Sequence, residues 1–157
     1  MDTDELEQTN PILVFDLDRT LWFYGKCAKS GRSCIVLYPD VRQLLQELSA
    51  TFKLAVSSYH RGGEKLLNQL GLAEYFAVIR SEPIQCKKCG KQIHLLDIAK
   101  QINTKPENLI LFDDKIENIN HAKSIGAKAI HVKTGGVTQT HVLSALSVFK
   151  MQHRVTC

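Results

Sequence analysis

Short apolar runs recur along the chain, and the segments between them carry helical periodicity. The runs are Ile12–Phe15, Lys53–Ser58, Tyr75–Ile79, Asn108–Phe112 and Ala127–Val132. Ile12–Phe15, opened by Pro11 and running into Asp16, predicts a strand buried on both faces; Lys53–Ser58 predicts a second short buried strand, and the other three runs predict further strands. Val41, Leu44, Leu45 and Leu48 have the i, i+3, i+4, i+7 spacing of an amphipathic helix, with Asp40 as its N-cap candidate. Further helices are expected over 64–70, stopped by Gly71; over 91–101; over 116–125, stopped by Gly126; and over 139–151. Strands alternating with helices predict an α/β fold: a doubly wound parallel five-stranded sheet with right-handed crossovers.

Two segments fall outside this alternation. Residues 22–38 read as a flap with hairpin potential, and 81–90 (Ser-Glu-Pro-Ile-Gln-Cys-Lys-Lys-Cys-Gly) reads as a loop. Residues 1–10 carry Asp2, Asp4, Glu5 and Glu7 without an apolar stretch, which predicts a disordered acidic tail ahead of a single domain over 11–152. No insertion is long enough for a large cap domain.

Composition narrows the class. With 44% hydrophobic and 23% charged residues the 157-residue chain has the balance of a soluble globular domain. No run approaches the ~20 apolar residues of a membrane span. The net charge of +4 suits an anionic substrate without demanding one. Five Cys, an odd number, with no secretory segment favour a reducing compartment, so cytoplasm or nucleus is expected.

The polar residues that end the strands change the picture most. In a parallel sheet every strand's C-terminal end lies on one rim, where ligands bind. That rim collects Asp16 and Asp18, Ser57 and Ser58, and Asp113 and Asp114, and Lys91 opens a helix beside it. Asp16 and Asp18, at i and i+2, share one side of an extended segment and repel unless a cation or a shared proton intervenes. Clustered oxygen ligands suit a hard divalent ion such as Mg²⁺. Each feature alone has a plain explanation: a solvated strand end, a helix cap, a surface lysine. Their coincidence at four matched topological positions is far more specific.

Asp16-Leu17-Asp18-Arg19-Thr20 resembles the first motif of the haloacid dehalogenase-like (HAD) superfamily, Asp-x-Asp-x-Thr after a buried strand. Val56-Ser57 is similar to its second motif, Lys91 stands where the third motif places its lysine, and Phe112-Asp113-Asp114 resembles the fourth. Thr20-Leu21-Trp22 and the later Glu117-Asn118-Ile119 are most similar to the magnesium-dependent phosphatase group. The resemblance implies a Rossmann-like fold and a phosphomonoester hydrolase, acting on a phosphotyrosine protein or a sugar phosphate. It implies Asp16 as nucleophile, forming an aspartyl-phosphate, and Asp18 as general acid and base. Mg²⁺ is then held by Asp16, Asp18 through its main-chain carbonyl, and Asp113, with Asp114 in support. The Ser57 hydroxyl and the main-chain amides of Leu17 and Ser58 bind phosphoryl oxygens, and Lys91 balances their charge.

The loops raise further expectations. Lys26, Lys29 and Arg32 in the flap, and Lys87 and Lys88 in 81–90, are solvated loop charges or a basic rim for a phosphorylated partner. Cys86-x-x-Cys89 has zinc-knuckle spacing, and Cys27 and Cys34 offer a second pair for a structural Zn²⁺ site; free or redox-active thiols are the alternative. His60, His94, His121 and His131 read as surface or packing residues. The expected partner is a phosphorylated small molecule or phosphoprotein, bound by a monomer, with no membrane or nucleic acid. A competing possibility is a catalytically silent module that holds a phosphorylated partner; retention of Asp18 argues against it.

Overall fold

The computed structural model describes residues 10–155 apart from 87, and side chains only as far as 150. The acidic tail, Asn10 aside, lies outside the described residues. The central sheet is made of β1 (Ile12–Phe15), β4 (Leu54–Ser58), β5 (Phe76–Ser81), β6 (Leu109–Asp113) and β7 (Lys128–His131). Its order is β5-β4-β1-β6-β7, all neighbours parallel. The flap segment forms an antiparallel hairpin of β2 (Trp22–Lys26) and β3 (Ser33–Leu37). The helices are α1 (Val41–Ser49), α2 (Gly63–Gln69), α3 (Gln92–Ile102), α4 (Ile116–Ser124) and α5 (Gln139–Val155).

Alternation within the strands divides the core into two layers. Leu13, Phe15, Leu54, Val56, Ile110 and Phe112 pack with residues of α1, α2 and α5. Ile12, Val14, Ala55, Leu109 and Leu111 pack with residues of α3 and α4. Phe15 and Phe112 lie opposite each other in the sheet, with their rings stacked at 5.0 Å. This two-sided burial explains why β1, β4 and β6 read as apolar runs, while β5 and β7, at the sheet edges, are only partly buried.

Local details differ from expectation. Asp40 precedes α1 but sits in the left-handed region, at φ 65, and makes no side-chain cap bond. The cysteines pair within their own loops: Cys27 with Cys34 and Cys86 with Cys89 form disulfides, with Cα atoms 5.5 and 5.1 Å apart. A structural zinc site needs four ligands converging on one point. Each pair is instead satisfied locally, so the Zn²⁺ expectation is not met. Among the described residues no helix is long and apolar enough to cross a membrane.

Candidate active site

The sheet order places the site. The chain leaves β1 to build β4 and β5 on one side, then returns to build β6 and β7 on the other. The crevice outside the carboxyl end of β1 is therefore the topological switch point, where open α/β sheets bind ligands. A cleft of about 560 Å³ opens there, lined by Asp16, Asp18, Asp114 and Ser58 among others.

Strand parity decides which side chains meet beneath this cleft. Asp16 follows Val14, Asp113 follows Leu111 and Ser57 follows Ala55, all on the α3/α4 side of the sheet. Lys91, fully buried at the start of α3, enters from that side. Its Nζ donates to Asp16 Oδ1 at 2.9 Å and to Asp113 Oδ2 at 2.5 Å. Gly90 makes this approach feasible, because a Cβ there would overlap the His121 ring on α4. Asp113 is held further by the Lys115 N–H (2.9 Å) and by Asn118 Nδ2, 3.2 and 3.1 Å from its two oxygens.

Asp16, Asp113 and Asp114 offer carboxylate oxygens all within 4.8 Å of one another, the one such group of potential metal ligands among the described residues. Burial, reinforced by Asp113 and opposed by Lys91, pushes the Asp16 carboxyl up to about 8. Lys91, held between two carboxylates, is driven above its usual range despite its burial. One ammonium against three carboxylates leaves the site short of positive charge. An all-oxygen donor set of this kind could hold a hard divalent cation, which would make up that deficit.

The turn after β1 positions Asp18. Thr20 and Leu21 N–H groups both donate to the Leu17 carbonyl, at 3.1 and 2.9 Å, and the Arg19 N–H donates to the Trp22 carbonyl at 2.6 Å. Trp22 is fully buried, and its indole Nε1 donates to Asp18 Oδ1 at 2.8 Å, fixing that carboxylate at the cleft. Leu17 is fully buried beneath the cleft and its side chain does not line it. Arg19 holds φ 61, a left-handed conformation that costs a residue with a Cβ about 1–2 kcal/mol.

Ser57 and Ser58 part company. The Ser57 hydroxyl is buried 3.1 Å from His94 Nδ1, one turn along α3 from Lys91, and does not line the cleft. Ser58 does line it, and its Oγ accepts the His60 N–H at 3.1 Å. His94, expected as a packing residue, is thus the buried partner of Ser57. Burial, with the nearby charges of Arg80 and Lys91, lowers its pKa to about 4 and keeps it neutral.

His60 also has a place at the site: it lines the cleft, with Nε2 2.8 Å from the Tyr24 hydroxyl of the hairpin. Phe23, Tyr24 and Tyr59 supply aromatic walls. Lys26, Lys29, Arg32 and Lys88 do not line the cleft, and Lys87 lies outside the described residues; the cationic lining comes from Arg19 and Lys115. Asn118 and His94 escape motif reading, although their spacing carries a signal. Each is a polar residue on the inner face of a helix whose first turn abuts the site.

The fold is that of HAD-like proteins, with the rim carboxylates and Lys91 gathered at its switch point. The acid phosphatase family model matches residues 8–152, and the chain belongs to that family. A phosphorylated carbohydrates phosphatase from Thermotoga maritima is 29% identical over 97 residues, 59% of this chain and 44% of the relative. The chain thus spans less than half the length of that relative. Among solved structures, a haloacid dehalogenase-like family hydrolase from Streptococcus pneumoniae superposes with a TM-score of 0.64 at 16% identity, covering 86% of this chain and 90% of the other. A HAD-superfamily hydrolase from Geobacter sulfurreducens gives 0.67 at 10% identity, covering 89% and 100%.

Proposed function

We propose that the protein is a Mg²⁺-dependent phosphomonoester hydrolase working through an aspartyl-phosphate. The observation that carries this is the buried Lys91 ammonium shared by Asp16 and Asp113, with Asp114 completing the carboxylate group. Asp16, Asp113 and the main-chain carbonyl of Asp18 would hold the ion, with Asp114 close enough to Asp16 and Asp113 to join them, and bound Mg²⁺ would supply positive charge to offset the phosphoryl oxygens.

The chain's own residues divide the remaining work. An Asp16 oxygen attacks phosphorus in line while the bond to the leaving oxygen breaks, and Asp18 gives that oxygen its proton. Water then attacks the phosphorylated Asp16, passing a proton to Asp18, and inorganic phosphate leaves. Lys91 holds Asp16 in place and offsets phosphoryl charge. The Ser58 hydroxyl oxygen already accepts a bond, so its proton is available to a phosphoryl oxygen; the main-chain amides of Leu17 and Ser58 are further donors. The carbohydrate phosphatase among the relatives supports a sugar phosphate as substrate, and the open cleft leaves room for a phosphoprotein side chain.

The direct test is hydrolysis of an aryl phosphate with and without Mg²⁺, followed by a panel of sugar phosphates, nucleotides and phosphopeptides. Turnover that requires Mg²⁺ is expected. Failure on every substrate would leave a phosphate-binding module instead.

The serines are separable by experiment. Ser58→Ala should lower kcat/KM by about 10-fold or more with little change in thermal midpoint. Ser57→Ala should cost about 1–3 kcal/mol of stability, because His94 Nδ1 is left unpaired in the core. Steady-state kinetics and thermal melts on both variants decide it; the reverse pattern would return the phosphoryl contact to Ser57.

Metal binding should also be visible in stability. Without metal, the Asp16 pKa is raised from 3.8 to about 8, so the folded state holds more protons than the unfolded chain across that window. Metal-free stability therefore falls as pH rises through it. Mg²⁺ must displace that proton, so the Mg²⁺-induced rise in melting temperature should grow from pH 6 to pH 8. A shift independent of pH would place the ion elsewhere.

A further inference from the structure

We propose that Arg19 forms an anion subsite beside the phosphoryl site, selecting phosphate monoesters whose leaving group carries a second negative charge, a carboxylate or a further phosphate. The inference rests on the phosphatase reading above. The first observation is conformational. The Arg19 N–H is clamped to the Trp22 carbonyl, and the turn holds φ at 61. The turn accounts for the left-handed backbone, which glycine adopts freely, but not for an arginine occupying it. A strained residue at a cleft is a reason to ask what its side chain does.

The second observation is electrostatic. Arg19 is exposed and lines the cleft, yet among the described residues its guanidinium has no ion-pair partner and no side-chain hydrogen bond. Its chain neighbour Asp18 already receives the Trp22 indole N–H at Oδ1. Lys115, at the start of α4, lines the same cleft and is likewise without an ion-pair partner. The cleft thus presents free positive charge in addition to Lys91, which is buried and committed to Asp16 and Asp113.

Mechanism decides what that charge meets. In-line displacement puts the leaving oxygen on the side of phosphorus away from Asp16, next to the acid Asp18. Arg19 follows Asp18 directly, about 3.8 Å away at Cα. Lining the same cleft from the position next to that acid, its side chain is within reach of the body of the leaving group. A guanidinium in that position forms a charge-assisted, bidentate bond to a carboxylate or phosphate and gains little from a neutral group. Phe23, Tyr24 and Tyr59 are there to pack the rest of the leaving group.

The test compares phenyl phosphate with 4-carboxyphenyl phosphate and hydroquinone bisphosphate, in saturating Mg²⁺, for wild type, Arg19→Gly and Arg19→Gln. Arg42→Gln, an exposed position on α1, controls for net charge. Leaving-group chemistry cancels when the ratio of kcat/KM between charged and uncharged esters is compared from one variant to the next. That ratio should fall about 10-fold in both Arg19 variants, stay constant in Arg42→Gln, and shrink in high salt for wild type. A fall with one charged ester only identifies which anion the subsite prefers. Arg19→Gly should melt at or above wild type, since glycine suits the backbone; Arg19→Gln serves if it does not fold. Unchanged ratios, or equal losses on all three esters, would overturn the subsite. No hydrolysis of any ester by wild type would overturn the phosphatase reading instead.

Discussion

Replacing Asp16 with Asn should lower kcat by about 10⁴-fold or more while leaving the protein at least as stable as wild type. The two halves of this expectation have one cause. Asp16 shares a buried site with Asp113 and Asp114, and desolvation already opposes its charge. An amide of the same shape is neutral at every pH, so it avoids the cost of charging a buried carboxyl beside Asp113. It also removes the anionic oxygen required to attack phosphorus. Turnover assays paired with thermal melts separate this from unfolding. Incubation with an aryl phosphate followed by acid quench should trap phosphate on wild type and not on Asp16→Asn. Turnover retained in the variant would overturn the covalent mechanism.

Lys91→Met should damage both fold and activity. Lys91 is fully buried, and its two bonds bridge β1 and β6. Methionine is a similar unbranched side chain without the charge, so it leaves Asp16 and Asp113 without their cation. Breaking a buried pair in this way costs about 3–5 kcal/mol. The sign of the pH dependence is diagnostic. The Asp16 carboxyl can escape by protonation, so the loss in urea midpoint should be larger at pH 8 than at pH 5. Added Mg²⁺ should restore part of the stability and little of the activity, because Lys91 also balances phosphoryl charge. Wild-type stability in Lys91→Met at pH 8 would mean that the ammonium is not carrying this charge.

Much of the site was legible in the sequence because its chemistry breaks local rules. Carboxylates at the ends of β1 and β6 interrupt apolar runs that have no local use for charge. The topology implied by alternating strands and helices puts both runs on one rim, and Lys91 opens the helix that leads into β6. The serines were not distinguishable in this way. β4 is buried on both faces, so Ala55-Val56-Ser57-Ser58 shows no alternation of polarity to tell which hydroxyl faces the cleft. Only the packing of α3, which brings His94 against Ser57, resolves it. The zinc expectation failed for a related reason: spacing shows that cysteines can meet within a loop, whereas convergence of two loops depends on where each is carried.

Sequence by itself determined the α/β alternation, the rim that collects Asp16, Asp18, Asp113 and Lys91, and the resemblance in which these residues have roles. These follow from local periodicity and from the rule that parallel strands end on one edge. Tertiary structure alone decided the partners: Lys91 between Asp16 and Asp113, Trp22 on Asp18, Ser57 turned to His94, and Arg19 at the cleft without an ion pair among the described residues. Such pairings depend on strand parity and helix packing across distant parts of the chain. A residue's neighbours in sequence do not specify its neighbours in space.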